Sequence, residues 1–464
     1  LCLEKHIFSG DNFTGGINLN ICALISSVAS NNWLKQEGIF AFLMPKSLCF
    51  QQSYSGFRNL KQDDGIDLKY LKIVDWSESG NPFHPVTEKF LTYYFVKSNL
   101  TIPLSIPVTK IKLKKGHSIK EKKMTLNAIE RCFEKKEING FINTGPYNHF
   151  TFAENKKYIS VMKTLSGTPD YKGRVGLGLY PKEILLFKLI KKYGKNLILE
   201  NYQGKATERK SYKKQIILEN TFVLPVIEGP NIKNFELSDI KYYSAFPYTN
   251  NDLKKPIPLK ELKKISPKLA KYYLDNKKFL VKTNYNQKVQ GKKGEFYSLT
   301  RVGPYTFAPY RVIYRNNTSW EACVISKNFL LLDHACSISQ DNEGNYLKED
   351  EAHYICAVLN SKIVKNYMEN SSDLRSIKTD LIIKLLKYNP EIWIHKMLSI
   401  VSKKLHLNKT HIDIYNNFLN YLISRYVREC ISNNKKTEFD IKLEKNFNKL
   451  NHKDEISILT KYKF

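Results

Sequence analysis

The sequence predicts a mixed α/β chain: an α/β first part, a mixed α+β middle and a helical tail. Three observations carry this. A stretch with apolar residues at helical spacing runs into Gly38 and then a short, continuous apolar run. Between residues 125 and 385, short β-branched and aromatic runs alternate with Gly/Pro turns. Beyond residue 386 the apolar spacing is helical.

In chain order, residues 17–35 place Ile17, Ile21, Leu24, Ile25 and Val28 at helical spacing, which predicts an amphipathic helix. Ile39–Met44 is apolar throughout and ends at Pro45, the pattern of a strand buried on both faces, as in a parallel sheet. Ligands bind at the carboxyl ends of such strands, so Pro45, Lys46 and Ser47 are candidates for the rim of a site. Leu71–Asp75 and Thr92–Lys97 predict two further strands, joined through a turn-rich loop, Ser77–Pro85. Lys110–Lys123 is basic and poorly apolar, which predicts a linker or exposed arm. Pro181–Lys192 predicts a helix with proline in its first turn. The helical tail carries apolar spacing in Ile392–Val401 and Ile414–Val427, and its charged end is expected to fray. The expected division is 1–115, 116–385 and 386–464, in line with about 150 residues per domain for a chain of 464.

Lys+Arg less Asp+Glu is 74 − 44 = +30, a field that acts at a distance on polyanions. A lysine-rich surface produced by coding bias is the plain alternative. At 42% hydrophobic and 12% aromatic residues, general disorder is excluded. No apolar run is long enough for a transmembrane helix, and the first residues lack the layout of a signal peptide. The eight cysteines lie far apart with no CxxC, which suits a reducing cytosol. His84, His334 and His353 sit in no metal-ligand pattern, and no metal is expected. The chain opens at Leu1 and its first methionine is Met44, so the natural protein is expected to begin upstream.

No catalytic centre stands out. Asn81-Pro82-Phe83 lacks the second proline of an Asn-Pro-Pro-Tyr motif. Gly173-Arg-Val-Gly-Leu-Gly178 follows a turn-like stretch rather than a buried strand, and so fails as a cofactor loop. Residues 251–294 hold thirteen lysines against Asp252, Glu261 and Asp275, with Tyr272, Tyr273 and Tyr285 interleaved. That is either a solvated helical face or a phosphate-contacting face with aromatics for bases; Lys263 and Lys264 belong to it. From Phe296 to Arg315, Arg301, Arg311 and Arg315 sit among six aromatics, Tyr305 and Tyr310 included, around a Gly-Pro turn. Arginine forks read guanine edges and grip phosphates, and aromatics stack on exposed bases. A β-hairpin packed in a core with surface arginines is the alternative.

Several of these stretches resemble one family in the same order. Asn31–Ser47 is similar to the stretch after the catalytic motif of adenine-N6-specific DNA methyltransferases of type II restriction–modification systems. The Arg301–Arg315 block resembles their target-recognition region, above all in the branch serving enzymes that cut outside asymmetric sites. Asp333-His334, Glu351–Val364 and Ser371–Ser376 with Arg375 continue the likeness, which runs from about residue 10 to residue 400. The resemblance implies the carboxyl-terminal half of a Rossmann-like methyltransferase sheet, a mixed α+β target-recognition domain and a helical tail. It implies methyl transfer from S-adenosylmethionine to adenine in a specific duplex site by base flipping. The family's cofactor loop and Asn-Pro-Pro-Tyr motif are absent here, so both are expected upstream or on a separate subunit, and this chain alone is expected to be inactive. Phe83 is assigned the role of stacking on the flipped adenine. Arg174, Lys263, Lys264, Arg301, Tyr305, Tyr310, Arg311, Arg315, His334 and Arg375 are assigned to DNA. The implied partners are double-stranded DNA and a cognate restriction endonuclease in a bacterial cytoplasm. A non-catalytic DNA-specificity subunit working with a separate methyltransferase subunit is the alternative, and a basic nucleic-acid-binding protein unrelated to methylation is a third.

Overall fold

The computed structural model describes residues 21–80, 88–99, 105–119, 124–143, 148–203, 214–249, 252–253, 255–282, 294–315, 319–326, 328–372, 379, 381–407, 410–448 and 459–460. It is mixed α/β with several sheets. The chain divides into two compact units, residues 1–167 with 366–376, and residues 168–365 with 377–464.

The first unit is built on a six-stranded sheet. Its strands are β1 (Ile39–Pro45), β2 (Leu68–Glu78), β3 (Phe90–Lys97), β4 (Ile106–Leu113), β5 (Phe133–Ile142) and β6 (Phe150–Ala153), in the order β1-β3-β2-β4-β5-β6. Only β2 and β4 pair in parallel; the other neighbours are antiparallel. The expected strand at Ile39–Met44 therefore forms, but not as a parallel strand buried on both faces. It is an edge strand, with Ile39 64% and Leu43 38% exposed. The expected arm at 110–123 begins as β4. Buried Ile106, Val108 and Ile111 anchor that strand, and the lysines beside them masked its apolar rhythm. The boundary expected near residue 115 falls between β4 and β5, two strands of this one sheet.

The expected first helix spans Ile21–Trp33, yet it buries the opposite kind of face. Ala23, Ser26, Ser27 and Ser30 are inside, while Ile21, Ile25 and Trp33 are 64%, 46% and 78% exposed. Small residues let a helix approach closely. Ser26 Oγ and Ser30 Oγ donate to Ala23 O and Ser27 O, both at 3.0 Å, so the buried hydroxyls stay satisfied.

The second unit holds a six-stranded sheet and a four-stranded one. The first is β10-β9-β8-β14-β11-β17, from Phe187–Tyr193 (β8), Asn196–Asn201 (β9), Gln215–Glu219 (β10), Val223–Ile227 (β11), Tyr242–Ala245 (β14) and Leu330–Leu331 (β17). The second is β16-β15-β18-β7, from Tyr171–Val175 (β7), Tyr310–Arg315 (β15), Ala322–Ser326 (β16) and Ala335–Asp341 (β18). A two-stranded ribbon, Ile232–Lys233 (β12) with Glu236–Leu237 (β13), accompanies them. The helix expected at Pro181–Lys192 is only one turn, Lys182–Leu185, and gives way to β8. Its alternating Phe187 and Leu189 join the sheet's core, and tertiary pairing overrides the local helix signal.

The helix Glu349–Asn360 is buried from Ala352 to its end and packs against β15, β16 and the helix Trp393–Leu407. The tail is thus part of the second unit rather than a separate domain. Nor does its charged end fray through Asn448. Arg425 is fully buried and pairs with Glu429 at 2.8 Å, Asp440 at 3.3 Å and Glu444, which fixes the helix Glu438–Asn448. No helix among the described residues is long and apolar enough to cross a membrane. None of their His, Cys, Asp and Glu side chains group to hold a metal.

Four buried histidines are held neutral. Burial pushes His149 and His353 down to about 3 and His395 to about 4, and it lowers His406. Each ring is engaged: His149 with Tyr367, His353 with Ser402, His395 with the Asn389 amide, and His406 with the Val324 amide. A histidine whose folded value is depressed takes up its proton first in the unfolded chain, so stability is present above about pH 6.5 and falls as pH drops below it. Between pH 7 and pH 5, His149, His353 and His395 should each cost about 2 kcal/mol of stability, and His406 acts in the same direction. A thermal midpoint that stays level across that range would show that these rings are not buried neutral.

A candidate nucleic-acid interface

In the first unit, the loop after β1 is tied down from three sides. Pro45 O accepts from Tyr93 Oη at 3.2 Å, and Lys46 Nζ meets Asp75 Oδ2 at 2.7 Å. Arg58, only 3% exposed, donates through Nη1 to Leu48 O and Gln51 O. Burial alone would raise the Asp75 carboxyl; Lys46 outweighs it and holds the group below its ordinary value. Ser47 is buried, and its carbonyl accepts from Phe50 and Gln51. Pro45, Lys46 and Ser47 thus form a rigid rim, in which Lys46 is already committed to a carboxylate. Phe83, expected in the loop between β2 and β3, lies outside the described residues, as does Arg375.

In the second unit, three segments converge: residues 174–182, 300–305 and 331–334. The glycines of the 173–178 stretch explain how. A Cβ at Gly176 would lie 2.3 Å from Leu332 O, and one at Gly178 would lie 2.2 Å from Thr300 Oγ1. Gly176 admits neighbouring backbone and Gly178 admits the Thr300 hydroxyl, so the space beside both glycines is filled by the chain itself. Leu177 bridges Leu332 in parallel, and Gly178 bridges Thr300.

This convergence gathers four residues expected to touch DNA. The Arg174 guanidinium lies 4.3 Å from the centre of the Tyr305 ring. Tyr305 Oη donates to Arg301 O at 3.0 Å. Arg301 is exposed and sits in the left-handed region, at φ 62°, just before the turn at Pro304. His334, with its side chain 47% exposed, completes the group. Three further residues belong here. Tyr180 Oη donates to Asp333 Oδ2 at 2.6 Å, and Lys182 Nζ to His334 Nε2 at 3.1 Å. Burial, then the bond to Asp333, push the Tyr180 phenol up to about 12, so it remains a donor. The only signal near Tyr180 and Lys182 was the helix start at Pro181, which marks local structure and not a site.

The other expected readers are elsewhere. Arg311 is a correction: it is 2% exposed, and its Nη2 donates to Phe329 O at 2.7 Å. Burial pushes its guanidinium down to about 10. It lies on β15, a central strand covered on both faces, which leaves no route to a groove. Arg315 is likewise turned inward, to Glu321 at 2.7 Å and Ile232 O at 2.9 Å. Tyr310 opens β15, half-buried, opposite Ser326. Lys263 and Lys264 are exposed on the helix Leu259–Ile265, whose inward side is Leu262. The tyrosines interleaved with those lysines face the core. Tyr272 Oη donates to Ile184 O, and Tyr273 stacks on Tyr297 with ring centres 4.7 Å apart. Tyr285 lies outside the described residues.

No family model matches the chain, and no curated protein does. Among solved structures, it is similar to the type IIL restriction–modification enzyme MmeI, determined in complex with DNA, at 10% identity and a TM-score of 0.50. That likeness covers 95% of this chain and 54% of MmeI, so the chain spans about half the length of that enzyme. The type IIG restriction endonuclease BpuSI is also found, at 10% identity and a TM-score of 0.28, over 90% of this chain and 50% of that one. At such identity the likeness to MmeI is one of fold.

Arg301→Ala should relax discrimination between duplex sites by roughly 1–3 kcal/mol, with stability unchanged. Arg311→Ala should instead lower folding stability by about 1–3 kcal/mol, because it removes a buried charge-assisted bond, and leave discrimination intact. Binding isotherms and thermal melts of the two variants check this; a swap of the two phenotypes would refute the placement.

Proposed function

We propose that this chain is the DNA-recognition portion, with part of the active-site wall, of an S-adenosylmethionine-dependent adenine-N6 DNA methyltransferase of a restriction–modification system. The observation that carries the reading is the convergence of Arg174, Arg301, Tyr305 and His334 on one ledge of the second unit. Neither Arg301 nor Lys182 makes an ion pair among the described residues, so their charge is available to a polyanion. The fold likeness to a DNA-bound restriction–modification enzyme supports it, as does the order of stretches that resemble the methyltransferase family. Lys263 and Lys264 would add phosphate contacts and salt-dependent affinity.

In this reading the rim at Pro45–Ser47 closes one side of a site whose reacting groups come from elsewhere. The cofactor supplies the methyl group, and residues outside this chain would hold it. Phe83 would be the platform that offsets the stacking lost by a flipped adenine. The edge of β1 away from β3, unpaired among the described residues, and the exposed Ile21, Ile25 and Trp33 suit a partial catalytic domain that further sheet would complete. A non-catalytic specificity subunit would use the same ledge, and it differs only in having its catalytic partner on another chain.

The chain alone should bind duplex DNA with a steep salt dependence and transfer no methyl group from labelled S-adenosylmethionine. Anisotropy titrations at several salt concentrations and filter assays for label on DNA measure both. Turnover by the chain alone, or equal affinity for every duplex and for heparin, would sink the proposal.

A further inference from the structure

One corner of the ledge has a chemistry of its own. Lys182 Nζ and His334 Nε2 are 3.1 Å apart. An ammonium has no lone pair to offer, so in this contact Nζ donates and Nε2 accepts. Neither group is loose. Lys182 stands on the single turn Lys182–Leu185, with its ammonium 5.6 Å from the centre of the Tyr180 ring. Tyr180 is fastened in turn to Asp333 Oδ2 at 2.6 Å. The Asp333 side chain is only 12% exposed, and its Oδ1, 3.7 Å from His334 Nε2, is buried without a hydrogen-bond partner. The carboxylate is therefore inside, and it fixes the tyrosine whose ring faces the Lys182 ammonium.

We infer that Lys182 reads the major-groove edge of one guanine, with His334, Tyr180 and Asp333 as positioning residues. This rests on the DNA-recognition role proposed above and specifies its chemistry. Guanine presents O6 and N7, two acceptors side by side. After its bond to His334, Lys182 keeps two N–H donors, one for each acceptor. Cytosine and adenine present an amino donor in the groove, which these donors do not match. A phosphate oxygen could accept from the same groups. Phosphate contacts, however, position without reading, and charge on a mobile stem suffices for them, as Lys263 and Lys264 provide. Here the lysine is held by an imidazole and an aromatic face, and the aromatic residue is tied to a buried carboxylate. Fixed donors of that kind are what a base edge requires.

The test uses the full chain: wild type, Lys182→Ala, Lys182→Met, His334→Ala and Tyr180→Phe. Each is put through selection from a random duplex library, followed by anisotropy on the selected site and its single-position variants. Wild type should select a site with a required G·C pair. Lys182→Ala and His334→Ala should both lose the preference at that same position, roughly tenfold to a hundredfold, with non-specific affinity and salt slope unchanged. Tyr180→Phe should show a smaller loss there. Lys182→Met keeps the packed stem without the donors and should match Lys182→Ala, so that loss of folding in one variant cannot be mistaken for loss of reading. A uniform loss across all duplexes, with the salt slope falling by about one, would mean a phosphate contact and overturn the inference. So would losses at two different positions, or no loss at all, in a wild type that does select a site. A wild type that selects no site would refute the DNA-recognition role itself, and this inference with it.

Discussion

Everything on the ledge depends on a close approach of backbones. Between residues 173 and 178 the second unit brings three chain segments nearer than any side chain permits, and Gly173, Gly176 and Gly178 are the means. At Gly173 a Cβ would lie 2.1 Å from Thr379 O, nearer than any real contact. Because the segments meet there, Arg174 reaches the Tyr305 ring, and Tyr180 and Lys182 reach the Asp333-His334 pair, although these residues are more than a hundred positions apart in sequence. A pattern that first suggests a nucleotide loop is in fact a hinge-point of packing.

The second organising principle is where positive charge is cancelled. The chain carries +30, but its cations divide sharply. Arg58, Arg311 and Arg425 are almost wholly buried and spend their donors on carbonyls or carboxylates. Arg315 and Lys46 close ion pairs at 2.7 Å. Such groups shape the fold and contribute little to an external field. Arg301, Lys182, Lys263 and Lys264 make no ion pair among the described residues. Net charge alone could not have separated these two populations, since both are written with the same letters.

The sequence revealed elements whose apolar rhythm was undisturbed. β2, β3 and the helices Trp393–Leu407 and Ile412–Arg425 lie where the spacing put them. It failed where the deciding information was not local. The helix Ile21–Trp33 buries serines rather than its isoleucines, because small residues and back-bonded hydroxyls suit a close face. β4 is hidden among lysines. β8 continues a helical turn, Lys182–Leu185, with more apolar and lysine residues, so the strand is set by sheet partners that lie elsewhere in the chain. At the ledge, Arg174, Arg301, Tyr305 and His334 were marked individually, and the structure brings them together. Arg311 was marked by the same reasoning and is internal, since arginine beside aromatics describes a groove reader and a capped core equally well. Tyr180, Lys182 and Asp333 acquire their meaning only from one another.

The edge strand β1 has a consequence beyond catalysis. Among the described residues it pairs on one side only, with β3, and it is flanked by exposed Ile39 and Leu43. An unpaired, apolar strand edge is a template for any other extended chain. Handled by itself, this polypeptide would tend to associate edge to edge, and only mutual repulsion of its lysines would oppose that. Its solubility should therefore fall as salt is raised, opposite to what the hydrophilic composition suggests. An extended chain paired along β1 would remove that salt sensitivity. Colloidal behaviour would then report whether that edge is occupied.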